Sequence, residues 1–182
     1  MKELPVAKPR RIMKKLKYQE LFVESLSDLL RAEPVLRMRR FTQHSDVSCL
    51  EHCLCVAYLS LILGRLMGVN LRRVARGALL HDLFLYDWHV HRKQGFWPHG
   101  FTHPARALAN ARRYFILEPA EEDAILKHMW PLTLLHMPRT PEAALVCLSD
   151  KLCALAEILG IYRLIRPRIR AFMQDALKLE QK

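Results

Sequence analysis

The sequence predicts an all-α fold, and two observations carry that expectation. Apolar residues recur at helical spacing through most of the chain, and glycine is scarce, at 6 of 182 residues. A length of 182 residues is enough for one domain with a real core, burying roughly 70% of its unfolded surface. The hydrophobic share of 51% and charged share of 26% are those of an ordinary globular protein.

The elements follow in order. Residues 1–16 read as a basic, loosely attached arm, with Lys2, Lys8, Arg10, Arg11, Lys14 and Lys15 crowded into it. Residues 17–182 read as a single helical domain. A first helix is expected from about Tyr18 to Arg31, with Leu21, Phe22, Leu26 and Leu29 inward, and Pro34 breaks it. Ser45 or Asp46 caps the next, which reaches about Met67 before Gly68 and Asn70 turn the chain. A third covers about Leu71 to Phe84. A polar and aromatic loop follows from Tyr86 to Thr102, long enough to suggest a functional segment. Pro104 suits the first position of a new helix, with His103 near its cap. Pro119 opens another, whose Glu121, Glu122 and Asp123 at one end and Lys127 and His128 at the other match the helix dipole. Thr140-Pro141 starts a helix ending near Gly160, and Pro167 interrupts the last one.

Composition narrows the setting. The longest apolar stretch, Cys53 to Leu63, is shorter than the ~20 residues of a membrane span, so no transmembrane segment is expected. The basic N-terminus has no apolar run behind it, unlike a secretory signal. Five cysteines without a compact framework read as reduced thiols, small core residues rather than zinc ligands, and a cytoplasmic location is expected. The formal net charge of +11, with Arg163, Arg166, Arg168 and Arg170 near the C-terminus, allows a nucleic acid as partner. The oligomeric state is not legible.

Chemistry enters with His81-Asp82, which closes a segment otherwise built for burial. An apolar stripe does not normally end in two such groups unless something satisfies them. His52 shares a helical side with Cys49, Cys55, Val56 and Leu59, and so points inward. Asp150 is flanked on its face by Val146, Cys147, Cys153 and Ala154. His128 follows Ala124 and Ile125 on one face, and His103 stands at a helix start. Each alone has an ordinary reading as a hydrogen-bonded core residue, a cap or a dipole partner. Together, five helices each supply ligand-type residues, the pattern of a metal site in a helical domain.

The order His52, His81-Asp82, His103, His128, Asp150 resembles the HD-domain superfamily of metal-dependent phosphohydrolases. The segments that carry the resemblance are EHCLCVAYLS, ARGALLHDLFLYDWH, HGFTHPARALANA, ILKHMWP and LVCLSDKLCALAE, spanning about Phe41 to Gly160. Within the superfamily they are most similar to a compact bacterial-type group with HDFYLYDWH-like and KHMWPLT-like segments. The resemblance implies a helical bundle around a central metal site. It places His52, His81, Asp82 and Asp150 on one divalent ion and His103 and His128 on a second, with Asp82 bridging. Mixed imidazole and carboxylate ligation does not separate Fe, Mn, Zn, Ni, Co or Mg.

The implied function is hydrolysis of a nucleotide or other small phosphate ester, mono- or diester, through a metal-activated water, with Asp82 and His81 at the catalytic centre. The alternative is a basic nucleic-acid-associated or nucleotide-sensing protein with little turnover. His99, Arg106 and His44 are the candidates for contact with substrate. Lys127 and Lys151 adjoin ligands but point about 100° away from them on a helix, as solvated or supporting groups. Asp87 could orient a ligand histidine. Many two-metal relatives carry Gly-Lys just after the HD pair, where this chain has Leu83, Phe84 and Leu85. The second histidine of the fourth motif is replaced by Met129, and there is no GYP signature. These departures point away from the branch that cleaves cyclic dinucleotides, and leave any role of the lysine to Lys93, His99 or another group.

Overall fold

The computed structural model describes residues 10–44, 46–87 and 99–179. The described elements are α1 (Arg10–Leu26), α2 (Glu33–Arg37), a 3-10 turn (Met38–Arg40), β1 (Thr42–His44), β2 (Val47–Ser48), α3 (Cys49–Met67), α4 (Leu71–Leu80), α5 (His99–Tyr114), α6 (Pro119–Lys127), α7 (Pro141–Ile158) and α8 (Tyr162–Leu179). The fold is helical, as expected, with one small antiparallel ribbon of β1 and β2 that the sequence reading did not include.

Helix α4 is the axis of the domain. Every residue from Val74 to Leu80 is buried, and α1, α3, α6 and α7 all pack against it. Gly77 allows the closest approach: a Cβ there would stand 2.9 Å from the Cβ of Ala124 on α6. Helix α3 is the second core helix. Its 19 residues, at a mean hydropathy of 1.5, are long and apolar enough to cross a membrane by length and composition. In this fold 56% of that stretch is buried, and its inward side meets α4 and α7. Gly68, in the left-handed region at φ 71°, closes it.

Several boundaries differ from the sequence reading. The first helix runs from Arg10 to Leu26 rather than from Tyr18 to Arg31, so part of the expected arm is helical. Pro34 stands in the first turn of α2, where its missing N–H costs nothing; it starts that helix, and α1 has already ended at Leu26. The cap of α3 is Ser48, whose hydroxyl accepts from the Glu51 N–H at 3.2 Å. The ribbon takes up the residues before it, and Ser45 lies outside the described residues. Pro104 and Pro167 lie inside α5 and α8 rather than at a start or a break. Pro119 and Pro141 do open α6 and α7, behind Glu118 and Thr140. The aromatic loop, with Trp88, His89, His91, Lys93, Gly95 and Trp97, lies largely outside the described residues, as do residues 1–9.

Two charge networks brace the bundle. Arg76, buried on α4, donates from Nε to Glu121 at 2.6 Å, from a terminal nitrogen to Asp28, and to the Ile116 carbonyl at 3.0 Å. At the start of α3, Glu51 receives Arg166 at 2.7 and 2.8 Å, Arg170 at 3.0 and 3.2 Å, and the Tyr162 hydroxyl at 3.1 Å. Arg166 also donates to Asp46 at 2.7 Å. Arg166 and Arg170 of the C-terminal basic cluster therefore tie α8 to α3.

Candidate metal centre

The helix axis puts the HD pair where it can act. Helix α4 stops at Leu80, four residues short of the expected end, with His81 as its cap. The Leu83 N–H turns back to the Leu80 carbonyl at 3.1 Å, and Leu85 takes a positive φ of 57°. Asn110 of α5 pins this turn, donating to the carbonyls of Leu83 at 2.7 Å and Phe84 at 3.2 Å. His81 itself keeps helical dihedrals, φ −58° and ψ −31°, so the pair continues the last turn of α4.

All six residues expected as ligands meet there. His52 comes from α3, His81 and Asp82 from the end of α4, His103 from α5, His128 from the end of α6, and Asp150 from α7. The contacts form one continuous set. His52 Nε2 lies 3.1 Å from Asp150 Oδ1, which lies 3.6 Å from His81 Nε2. His81 Nε2 lies 3.3 Å from Asp82 Oδ2. Asp82 Oδ1, the other oxygen, lies 3.1 Å from His103 Nε2 and 3.5 Å from His128 Nε2. His52, His81 and Asp150 form one group able to hold a metal ion, and Asp82, His103 and His128 form another. The carboxylate of Asp82 spans the two, one oxygen toward each.

The arrangement fits divalent ions on three independent grounds. First, two donors each ~2.1 Å from one ion stand roughly 3.0–3.4 Å apart at octahedral or tetrahedral angles, and the separations here cluster around that range. Second, the far side of each imidazole is already committed. Nδ1–H donates to the Ala78 carbonyl in His81 (2.6 Å), to the His99 carbonyl in His103 (2.8 Å), to the Ile125 carbonyl in His128 (2.9 Å) and to Glu157 Oε1 in His52 (2.9 Å). That fixes the tautomer and leaves every Nε2 lone pair facing the centre. Third, these lone pairs lack donors. His103 Nε2 and His128 Nε2 are 2.7 Å apart, and neither can donate to the other without a second proton. His81 Nε2 and Asp82 Oδ1 are buried with no hydrogen-bond partner. A cation resolves all three.

Without a metal, protons on His52 and His81 occupy the nitrogens a metal ion would take. Burial would raise the carboxyl of Asp82, but the charges of His81 and His103 hold it well below the ordinary range. Asp150 is likewise held down against burial, by His52 and His81. Burial would lower His52 and His81, yet Asp150 with Glu157, and Asp82, raise them well above the usual imidazole value. His128 is pushed down to about 3 by burial and by the charges of His81 and His103, and so is a neutral ligand. Cys53 also approaches His81 and Asp82. Its sulfur, however, faces Nδ1 of His81 at 3.7 Å, the nitrogen committed to Ala78, and burial keeps the thiol protonated. The five cysteines are free and buried.

Two supporting residues escaped the sequence reading. Glu157, buried on α7, holds His52; its signal was its position seven residues after Asp150, two turns along the same face. Gln43 on β1 donates from Nε2 to Asp82 Oδ2 at 2.5 Å, and nothing in the sequence announced it. Lys151, expected as a solvated or supporting group, donates to the His128 carbonyl at 2.5 Å and approaches Asp150 Oδ2 at 3.5 Å. Lys127 pairs instead with Asp123 at 2.5 Å.

Of the residues expected at the substrate, His99 packs against this set. The ring of His99 stacks on that of His103, with centroids 4.4 Å apart and planes at 15°, and its Nδ1 is 2.9 Å from the Tyr86 hydroxyl. His99 thus belongs to the first turn of α5, not to the loop. The exposed Arg106 lies over the Tyr86 ring at 4.8 Å. His44 is on β1 rather than on α3, and its side chain lies outside the described residues.

Comparison with known proteins gives one finding. A family model of the HD domain matches residues 49–155, more than half of the chain, and contains all six ligand-type residues. No curated protein and no solved structure matches. Helical architecture, the ordered ligand set and the family match coincide: the chain belongs to the HD-domain superfamily of metal-dependent phosphohydrolases.

Proposed function

We propose that this protein hydrolyses a small phosphate ester, a nucleotide or a related phosphorylated metabolite, with two divalent ions held by His52, His81, Asp82, His103, His128 and Asp150. The observation that carries the reading is the division of Asp82 between two histidine groups, Oδ2 toward His81 and Oδ1 toward His103 and His128. Ions bound there would lower the pKa of a coordinated water and neutralise charge on a phosphoryl oxygen.

The chain's own groups then divide the remaining work. Gln43 fixes the rotamer of Asp82, and Glu157 and the backbone carbonyls aim the imidazoles. His99 and Arg106, both on α5 and both against Tyr86, would receive an anionic substrate. Lys151 supplies a cation on the Asp150 side, 39% exposed where the ligands are buried. It is a candidate for the charge that the Gly-Lys pair of relatives would provide. Of the basic residues that allow a nucleic acid as partner, Arg166 and Arg170 are engaged with Glu51 and Asp46.

The test is metal analysis of protein purified without chelator, then a panel of nucleotides and simple phosphate esters with Mn, Fe, Co, Ni, Zn and Mg, anaerobically for Fe. Two ions per chain and metal-dependent phosphate release are expected, with Asp82→Ala reduced to background. Full activity in Asp82→Ala would sink the proposal.

A further inference from the structure

Helix α7 has two faces of unlike purpose. At 100° per residue, Val146, Asp150, Cys153 and Glu157 lie on the metal-bearing side, and Ala144, Leu148, Leu152, Leu155 and Leu159 fall within roughly 80° of one another on the opposite side. That opposite side is open to solvent. Leu148 is 50% exposed, Leu152 45%, Leu155 53%, Ile158 64% and Leu159 61%. The large exposed residues of α7 are apolar, with Lys151, its side chain 39% exposed, beside them. A surface helix ordinarily turns charged and polar residues outward.

We propose that this face is the interface of a two-fold symmetric dimer, in which the α7 helices of two copies pack against each other. Three features select a second copy. The leucines are spaced 4, 3 and 4 residues apart, the narrow seam of a helix pair rather than the broad apolar half of a helix lying on lipid. The exposed parts of these side chains amount to roughly 500 Å² per copy, so pairing removes about 1,000 Å², the size at which specific interfaces begin. The seam also carries no charge. On a chain with a formal net charge of +11, Lys151 at its edge is the like charge that pairing must turn aside. Lys151 is turned to His128 and Asp150. An isologous contact centred between Leu152 and Leu155 places Leu148 of one copy near Leu159 of the other. The interface would back the helix that supplies Asp150 and Glu157.

Sedimentation velocity on the full chain, from micromolar concentrations to about 100 µM, reads the oligomer directly. A dimer is expected, with Leu152→Glu/Leu155→Glu raising its dissociation constant at least roughly 100-fold. Circular dichroism and metal content, unchanged in the variant, show that the fold survives. If that variant does not fold, Leu148→Gln/Leu155→Gln asks the same question with less disruption. A wild-type chain that stays monomeric at the top concentration overturns the proposal, as does a folded variant that remains dimeric. So does a monomer that co-sediments with vesicles of anionic phospholipid through these leucines. None of these outcomes depends on phosphatase activity.

Discussion

The reach of the metal centre beyond its ligands is tested most sharply by Glu157→Gln. The substitution keeps the shape and the acceptor oxygen that meets His52 Nδ1–H at 2.9 Å, and removes only the charge. An ion on Nε2 of His52 would stand roughly 7 Å from that carboxylate. At an effective dielectric of about 20 the lost attraction is roughly 2 kcal/mol per unit of ionic charge, an upper estimate. Losses of 10–100-fold in metal affinity, the usual cost of removing such a partner, fall in the same range. The expectation is therefore a 10–100-fold weaker site for the ion held by His52, His81 and Asp150, with the His103 and His128 side little affected. Competition against a chromophoric chelator separates the two ions by their affinities. Both affinities within about two-fold of wild type would show that Glu157 only fills space. An equal loss at both would show that the two groups are not the separate sites their geometry implies.

Two further outcomes follow from the charges. In the metal-free protein His52 and His81 are raised above 6.5, so their contribution to stability is complete below that value and is lost as pH climbs through their folded values. Asp82 and Asp150 are depressed below 3.8, so theirs is present above that value and is lost only as pH falls through their folded values. Chelator-treated protein should therefore melt at progressively lower temperature as pH rises past the ordinary imidazole range. Added metal should abolish that decline, since binding displaces the protons. A pH-independent melting temperature without metal would refute the assigned protonation. Arg76→Met should cost about 3–5 kcal/mol in urea unfolding, because it leaves Glu121, 1% exposed, as an uncompensated buried charge. A cost under about 1 kcal/mol would mean that water reaches Glu121.

The order of its histidines and aspartates, through a family resemblance, named the candidate ligands, and the sequence by itself determined the helical class and the inward faces. Those depend on local periodicity: a histidine or aspartate on an apolar helical stripe must face the interior wherever the helix goes, and the order of His52, His81-Asp82, His103, His128 and Asp150 needs no coordinates. Proline positions were half legible. Pro119 and Pro141 opened helices as expected, but Pro34 also starts one and Pro104 stands inside another, because packing decides which boundary a proline serves. The tertiary structure alone decided what depends on approach between distant segments. It packed α3, α6 and α7 against α4, so that His81 and Asp82 at its end meet the other candidate ligands. It brought Gln43, 39 residues away, to Asp82 Oδ2, and Glu157, 105 residues away, to His52. It spent Arg166 and Arg170 on Glu51, where charge counting had left them free for a partner. It also showed that the leucines of α7 opposite Asp150 face solvent rather than core. Apolar spacing marks a helix as having a side to cover, and only the packed structure shows which sides are already covered.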